Sequence, residues 1–234
     1  MSVLPESSAY FLIAHGSRDP RSRQALEACT MFVRQALDPS QSLEQAWPLV
    51  GAGVLEFGDQ PLAVQIETFA KTASRDGIRR IFLLPLFLMA GNHVKQELPE
   101  AVQIAQRHSS SELTLCPHLG SHPDIQNLVR DRMSQTHCDR WILLAHGTRR
   151  PHGNESVENL AEQLNATPTF WATEPNLETQ LETWAGNHQR VGIVPYFLFT
   201  GSIIDVILKD IHRLKLRFTA LDLQITQPLN PSAQ

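Results

Sequence analysis

The chain repeats itself, and that duplication restricts its fold more than any other feature. Ala9-Tyr10-Phe11-Leu12-Ile13-Ala14-His15-Gly16-Ser17-Arg18 returns as Arg140-Trp141-Ile142-Leu143-Leu144-Ala145-His146-Gly147-Thr148-Arg149, an offset of 131. Gln65-Ile66-Glu67-Thr68-Phe69 returns as Gln180-Leu181-Glu182-Thr183-Trp184 at an offset of 115. Ile81-Phe82-Leu83-Leu84-Pro85-Leu86-Phe87-Leu88 returns as Val191-Gly192-Ile193-Val194-Pro195-Tyr196-Phe197-Leu198 at an offset of 110. Apolar strands can match once by chance, but three matches in the same order mark a duplication. The shrinking offset means that the second copy has lost loop and helix length.

Within each copy, short apolar runs alternate with longer amphipathic stretches. Residues 10–14, 49–55, 79–85 and 112–116 are bounded apolar runs and are predicted to be buried strands. Between them, 20–37, 60–75 and 93–107 carry apolar residues at three- and four-residue spacing, the period of a helix. Asp19-Pro20 and Asp59-Gln60-Pro61 punctuate the first two helix starts. Pro99 is incompatible with a helix interior, so the third helix is expected to begin as a short turn at Asn92 and continue beyond it. A further helix at 122–135 leads through Thr136-His137-Cys138-Asp139 into the second copy, whose fourth strand is expected at 221–226. Strands alternating with helices imply right-handed crossovers and a parallel sheet covered on both faces. The expected fold is therefore α/β, with two similar domains at 1–136 and 137–234. Each should be a parallel four-stranded sheet flanked by helices, and the two should face each other across a cleft.

Composition narrows the class of function. A chain of 234 residues with 42% hydrophobic and 19% charged residues has material for two cores and too little charge for disorder. A net charge of −4 gives no general electrostatic reason to bind nucleic acid or an anionic membrane. The longest apolar run, Ile81 to Gly91, contains Pro85 and falls short of the roughly 20 residues a membrane helix needs. The segment MSVLPESSAYFLIAHG lacks a basic n-region and a small-residue cleavage site, so no signal peptide is read there. Cys29, Cys116 and Cys138 form no C-x-x-C pair, which argues against an iron–sulfur or zinc framework and suits a reducing cytoplasm. Ten histidines are the unusual feature, because imidazoles serve as metal ligands and as proton carriers near neutral pH.

Open parallel sheets bind ligands beyond the carboxyl ends of their strands. His15 directly follows the first predicted strand, Glu56 ends the second, and Gly91-Asn92-His93 follows the third. Two imidazoles and a carboxylate converging on one rim can hold a first-row divalent cation or exchange protons. Gly16 and Gly91 are expected to allow sharp turns beside the two histidines. Ser17, Arg18 and the following helix N-terminus are expected to bind substrate carboxylates. Taken singly, each residue has a bland reading: a hydrogen-bonding strand-end His15, a solvated Glu56, a helix-capping His93, an exposed Arg18. Their convergence sets them apart. His108, His118, His122, His137, His188 and His212 show no shared geometry and are expected at the surface. Met89, Phe82, Phe87, Tyr196, Phe197 and Phe199 are expected in the core, those past the strand ends facing a flat apolar ligand.

The segments His15-Gly16-Ser17-Arg18-Asp19-Pro20-Arg21, Leu55-Glu56-Phe57 and Pro85-Leu86-Phe87-Leu88-Met89-Ala90-Gly91-Asn92-His93-Val94 closely resemble the class II tetrapyrrole chelatases. The likeness is to the sirohydrochlorin chelatase branch in its long two-repeat form, and it spans almost the whole chain. The resemblance implies insertion of Fe2+ or Co2+ into sirohydrochlorin, toward sirohaem or cobalamin. It implies a lyase that needs no organic cofactor, with the divalent metal as substrate. It also implies that His15, Glu56 and His93 hold the metal and take up pyrrole protons, with Ser17, Arg18, Gly91, Asn92 and His146 at the macrocycle. A cytoplasmic monomer without nucleic-acid or membrane partners is expected.

The second copy departs from this pattern. His146 is kept, but the repeat alignment sets Trp171 opposite Glu56 and Ile203 opposite His93, so no metal site of its own is expected there. Its His146, Thr148 and Arg149 are expected at the macrocycle's carboxylates. No G-x-x-x-x-G-K-[ST] occurs, which argues against an ATP-driven chelatase. A histidine phosphatase also places His-Gly after its first strand but wants Arg directly before the His, where this chain has Ala14 and Ala145. A metal- or tetrapyrrole-carrier protein would use the same rim, and assay rather than sequence separates it from an enzyme.

Overall fold

The computed structural model describes residues 8–37, 49–186 and 189–229. The chain divides into two compact units at Gly120/Ser121. In the first, β1 (Ser8–Ala14), α1 (Pro20–Ala36), β2 (Val50–Val54), α2 (Leu62–Arg75), β3 (Arg80–Pro85), α3 (Leu98–Arg107) and β4 (Glu112–Leu115) follow one another. The strands form a four-stranded sheet in the order β2-β1-β3-β4, every pair parallel. The second unit holds α4 (Ile125–Ser134), β5 (Arg140–Ala145), α5 (Glu155–Gln163), β6 (Thr167–Phe170), α6 (Leu177–Trp184), β7 (Gln189–Pro195), α7 (Ser202–Arg217) and β8 (Leu221–Ile225). Its sheet, β6-β5-β7-β8, is again wholly parallel. The duplication thus appears as two copies of one topology.

Local chemistry explains the element boundaries. Asp19 caps α1, its carboxylate accepting the Arg21 N–H at 3.0 Å, and Pro20 takes the first helical position, where a missing N–H costs nothing. The loss of length in the second copy falls on its first two helices: α5 has 9 residues against 17 in α1, and α6 has 8 against 14 in α2. Ile66, Ile81, Leu83 and Leu98 are fully buried between the first sheet and α2/α3. Burying each such side chain contributes about 1.5–3 kcal/mol.

One helix sits between the two sheets in the chain order. By sequence the first repeat ends at residue 136, after α4; by its packing α4 lies against β7, in the compact unit that begins at Ser121. The strands show the consequence. β3 alternates, with Ile81 and Leu83 buried but Phe82 and Leu84 half-buried, whereas its counterpart β7 is buried without a break from Val191 to Pro195. With α4 on one face and α6/α7 on the other, β7 has the double cover that a continuous apolar run requires. On the less covered face of the first sheet, Tyr10 and Phe82 stack at 5.7 Å.

Candidate functional site

The site is built on the carboxyl end of β1, the central pair of whose neighbours runs on past the formal strands. Ile13 accepts the Leu86 N–H at 2.7 Å, Ala14 the Leu55 N–H at 3.0 Å, and the His15 carbonyl the Glu56 N–H at 2.8 Å. His15 and Glu56 are therefore clamped side by side on adjacent strands. Gly16 then turns the chain with φ of +95°, and a Cβ there would lie 1.9 Å from the Glu56 carbonyl oxygen. Only glycine satisfies both conditions. Phe57, with φ of +58°, turns the chain after β2.

His93 arrives from the third strand by a different device. Residues His93–Glu97 form a single π turn that runs directly into α3, with the Leu98 N–H donating to the His93 carbonyl. Pro99 lies at the first turn of α3 and has no N–H to offer the Lys95 carbonyl, so a regular α ladder cannot run through this point. The short initial turn expected from Pro99 is this π turn. The expected role of Gly91 is not met: its φ is not in the left-handed region, and a Cβ there would meet nothing within 4 Å. Gly91 instead contributes its carbonyl, which accepts the Lys95 N–H at 3.1 Å.

His15, Glu56 and His93 each offer a ligand atom, all within 4.8 Å of one another. The two Nε2 atoms are 3.1 Å apart, and the rings meet edge to face with centroids at 4.6 Å. Each Nδ1 faces an acceptor: the Gly16 carbonyl lies 3.1 Å from His15 Nδ1, and Glu97 Oε1 lies 3.0 Å from His93 Nδ1. In the tautomers with hydrogen on both Nδ1 atoms, the two Nε2 lone pairs point at each other. Such a pair repels unless a cation lies between them. With metal–nitrogen bonds of about 2.1 Å, a 3.1 Å separation corresponds to a ligand–metal–ligand angle of about 95°, within the range of six-coordinate ions. The Glu56 carboxylate supplies the negative charge.

The surroundings of this trio are partly apolar. Phe87 sits 6.4 Å, ring centroid to ring centroid, from both imidazoles, so the aromatic expected in the core forms a wall of the site. The Arg18 guanidinium lies over the exposed Phe57 ring at 5.2 Å, on the loops flanking His15 and Glu56. Ser17 Oγ accepts the Asp19 N–H at 3.1 Å and so also shapes the entry to α1. Asn92 occupies the residue before the π turn. No role was expected from sequence for Phe57, which entered only beside Glu56, or for Glu97. The His-x-x-x-Glu spacing from 93 to 97 was the available signal for the latter.

Among the other histidines, His108, His122, His137 and His212 are exposed, His108 pairing with Glu67 at 3.0 Å. His188 lies outside the described residues. His118 differs from the surface expectation: it is half-buried just after β4, and burial lowers its pKa.

The second unit repeats the strand-end geometry without the ligands. The Ala145 carbonyl accepts the Trp171 N–H and the His146 carbonyl the Ala172 N–H, both at 2.9 Å. These are the counterparts of the Leu55 and Glu56 hydrogen bonds. Ala172, not Trp171, therefore stands where Glu56 does, which corrects the repeat alignment by one residue. The error arose because the short β6 offers few residues to anchor an alignment. Trp171 lies beside His146, ring centroids 5.4 Å apart. Ile203 keeps its place opposite His93, since Pro195 and Pro85 occupy the same register on their central strands. Partial burial lowers the pKa of His146, although the residue as a whole remains exposed. Among the described residues, the His15–Glu56–His93 group is the one cluster able to hold a metal ion.

Comparison with known proteins finds relatives of almost the whole chain and of its fold. A sirohydrochlorin ferrochelatase of Bacillus subtilis strain 168 is 25% identical over 225 residues, which cover 88% of this chain and 80% of that protein. A sirohydrochlorin ferrochelatase of Priestia megaterium is 24% identical over 164 residues, 64% of this chain and 62% of that protein. The fold matches the crystal structure of the sirohydrochlorin chelatase SirB from Bacillus subtilis subspecies spizizenii in complex with cobalt, with a TM-score of 0.72 and 22% identity over 96% of this chain and 88% of that one. The CbiX family model matches residues 9–136 and again 140–234, one match to each copy of the repeat. The chain belongs to the CbiX family.

Proposed function

We propose that this protein inserts a divalent metal, Fe2+ or Co2+, into sirohydrochlorin, toward sirohaem or cobalamin. The observation that carries the reading is the pair of facing Nε2 atoms, 3.1 Å apart with Glu56 in reach, at the carboxyl ends of parallel strands. The names of the relatives in Bacillus and Priestia support the same substrate. The metal is a substrate, and no organic cofactor or nucleotide is needed.

Insertion exchanges two pyrrole N–H protons for one dication, so the site has two tasks. It must hold a partly dehydrated ion, and it must accept protons as the ring nitrogens take that ion over. His15 Nε2 and His93 Nε2 hold the ion through lone pairs. As the ion passes to the ring, those lone pairs are freed together, and a proton shared between them relieves their repulsion. Glu56 accepts the second proton and passes it outward to water. Phe87 offers an apolar surface to a flat macrocycle beside the imidazoles, and the Arg18–Phe57 pair meets its edge and its carboxylates. Ser17, Gly91 and Asn92 are assigned to the same substrate. The three cysteines, all free, accord with a cytoplasmic location.

Anaerobic incubation of the pure protein with sirohydrochlorin and Fe2+ or Co2+, followed by absorbance against a protein-free blank, tests the reading. Metallation well above the blank, lost in His15→Ala and His93→Ala, is the expected result. Metal bound at the site with no acceleration over the blank would instead make the protein a carrier.

A further inference from the structure

We infer that Glu97 is a positioning residue for His93, a role that rests on the metal-insertion reading above. His93 Nδ1 is sealed from solvent, and no described side chain or backbone group makes it a well-aligned hydrogen bond. The Glu97 carboxylate lies 3.0 Å away, off the line of the ring N–H, as the acidic partner of that nitrogen. A small rotation of the half-exposed Glu97 side chain aligns the contact. Contacts of this kind commonly tighten when substrate or metal binds.

The backbone explains why residue 97 sits there. Pro99 withholds the N–H that an α ladder would need, the chain widens into one π turn, and that turn stacks residue 97 against residue 93. The partner of His15 is a neutral carbonyl, whereas the partner of His93 is a carboxylate. A carboxylate behind Nδ1 fixes the proton there and aims the Nε2 lone pair at the ion. The second copy bears this pairing out by losing both members together: Ile203 replaces His93, and at the same offset the buried Ile207 replaces Glu97. A carboxylate kept only to cap or solubilise the helix would have no reason to vanish with the imidazole.

The test compares Glu97→Ala and Glu97→Gln with wild type, using Glu100→Gln as a control for loss of charge on the same helix. Two readouts are taken on the full chain: Co2+ affinity without macrocycle, from the visible cobalt bands, and steady-state metallation of sirohydrochlorin. Glu97→Ala is expected to weaken Co2+ binding by about 10–100-fold and to lower kcat, with KM for sirohydrochlorin unchanged. Glu97→Gln keeps an oxygen for the Nδ1–H and should fall between Ala and wild type, while Glu100→Gln should match wild type. Wild-type Co2+ affinity in Glu97→Ala, in a protein whose wild type both binds Co2+ and metallates, overturns this inference alone. A wild type that neither binds Co2+ nor metallates overturns the functional reading as well.

Discussion

Gly16→Ala places a methyl group where the structure leaves no room for one. Its Cβ would sit 1.9 Å from the Glu56 carbonyl oxygen, so that oxygen must retreat by at least about 1 Å before an ordinary contact is restored. The backbone at Gly16, with φ of +95°, adds about 1–2 kcal/mol for any residue carrying a Cβ. Overpacking of this kind costs about 1–3 kcal/mol more, so a total loss of about 2–5 kcal/mol is expected in urea unfolding. The larger effect falls on chemistry. The Glu56 N–H is bonded to the His15 carbonyl, so pushing the two loops apart separates two of the three metal ligands. A displacement of about 1 Å at a reacting centre can cost about 100-fold in rate, and that is the expected fall in metallation for the variant that remains folded. Gly91→Ala is the control for stability: its Cβ meets nothing within 4 Å, and unfolding should stay within about 0.5 kcal/mol of wild type. A Gly16→Ala protein with wild-type metallation and stability, or a Gly91→Ala protein as destabilised as Gly16→Ala, would refute this account of the strand ends.

Three further outcomes are expected. Ala172→Glu combined with Ile203→His should install a second Co2+ site beside His146, seen as a second equivalent in titration, whereas Trp171→Glu with Ile203→His should not. His146→Ala should change metallation modestly, by less than about 10-fold, while His15→Ala removes it; steady-state assays of both variants decide this. His118 and His146 have pKa values lowered by burial, so the native state binds fewer protons than the unfolded chain as pH falls below their ordinary range. Their contribution to stability is present above the unfolded pKa of about 6.5 and is lost as pH falls through the folded values. Urea midpoints measured from pH 7.5 down to pH 5 should therefore decline, and less steeply in His118→Asn/His146→Asn.

Much of this organisation was legible because it rests on period and punctuation. Asp19-Pro20 marks the start of α1, short apolar runs mark the parallel strands, and the repeated His-Gly marks the end of β1 and of β5. The three site residues could be proposed because strand ends in an open parallel sheet share one rim. What escaped depends on contacts that linear order does not carry. Which sheet α4 packs on was not legible, because a helix between two repeats has apolar residues, here Ile125 and Val129, that fit either one. The partner of His146 was misaligned because β6 is only four residues long, and a slip of one residue leaves no contradiction in the sequence. Glycine at 16 and at 91 looks alike in sequence, and only the position of the Glu56 carbonyl distinguishes the obligatory one from the replaceable one.

The most direct test of the single metal site is a crystal structure of the protein equilibrated with Co2+ at stoichiometric concentration, with the ion located by its anomalous signal. The account predicts one cobalt per chain, at about 2.1 Å from His15 Nε2 and His93 Nε2 and bound by the Glu56 carboxylate. A cobalt at His146, two equivalent cobalt ions per chain, or an ion that leaves His15 and His93 unligated would contradict it.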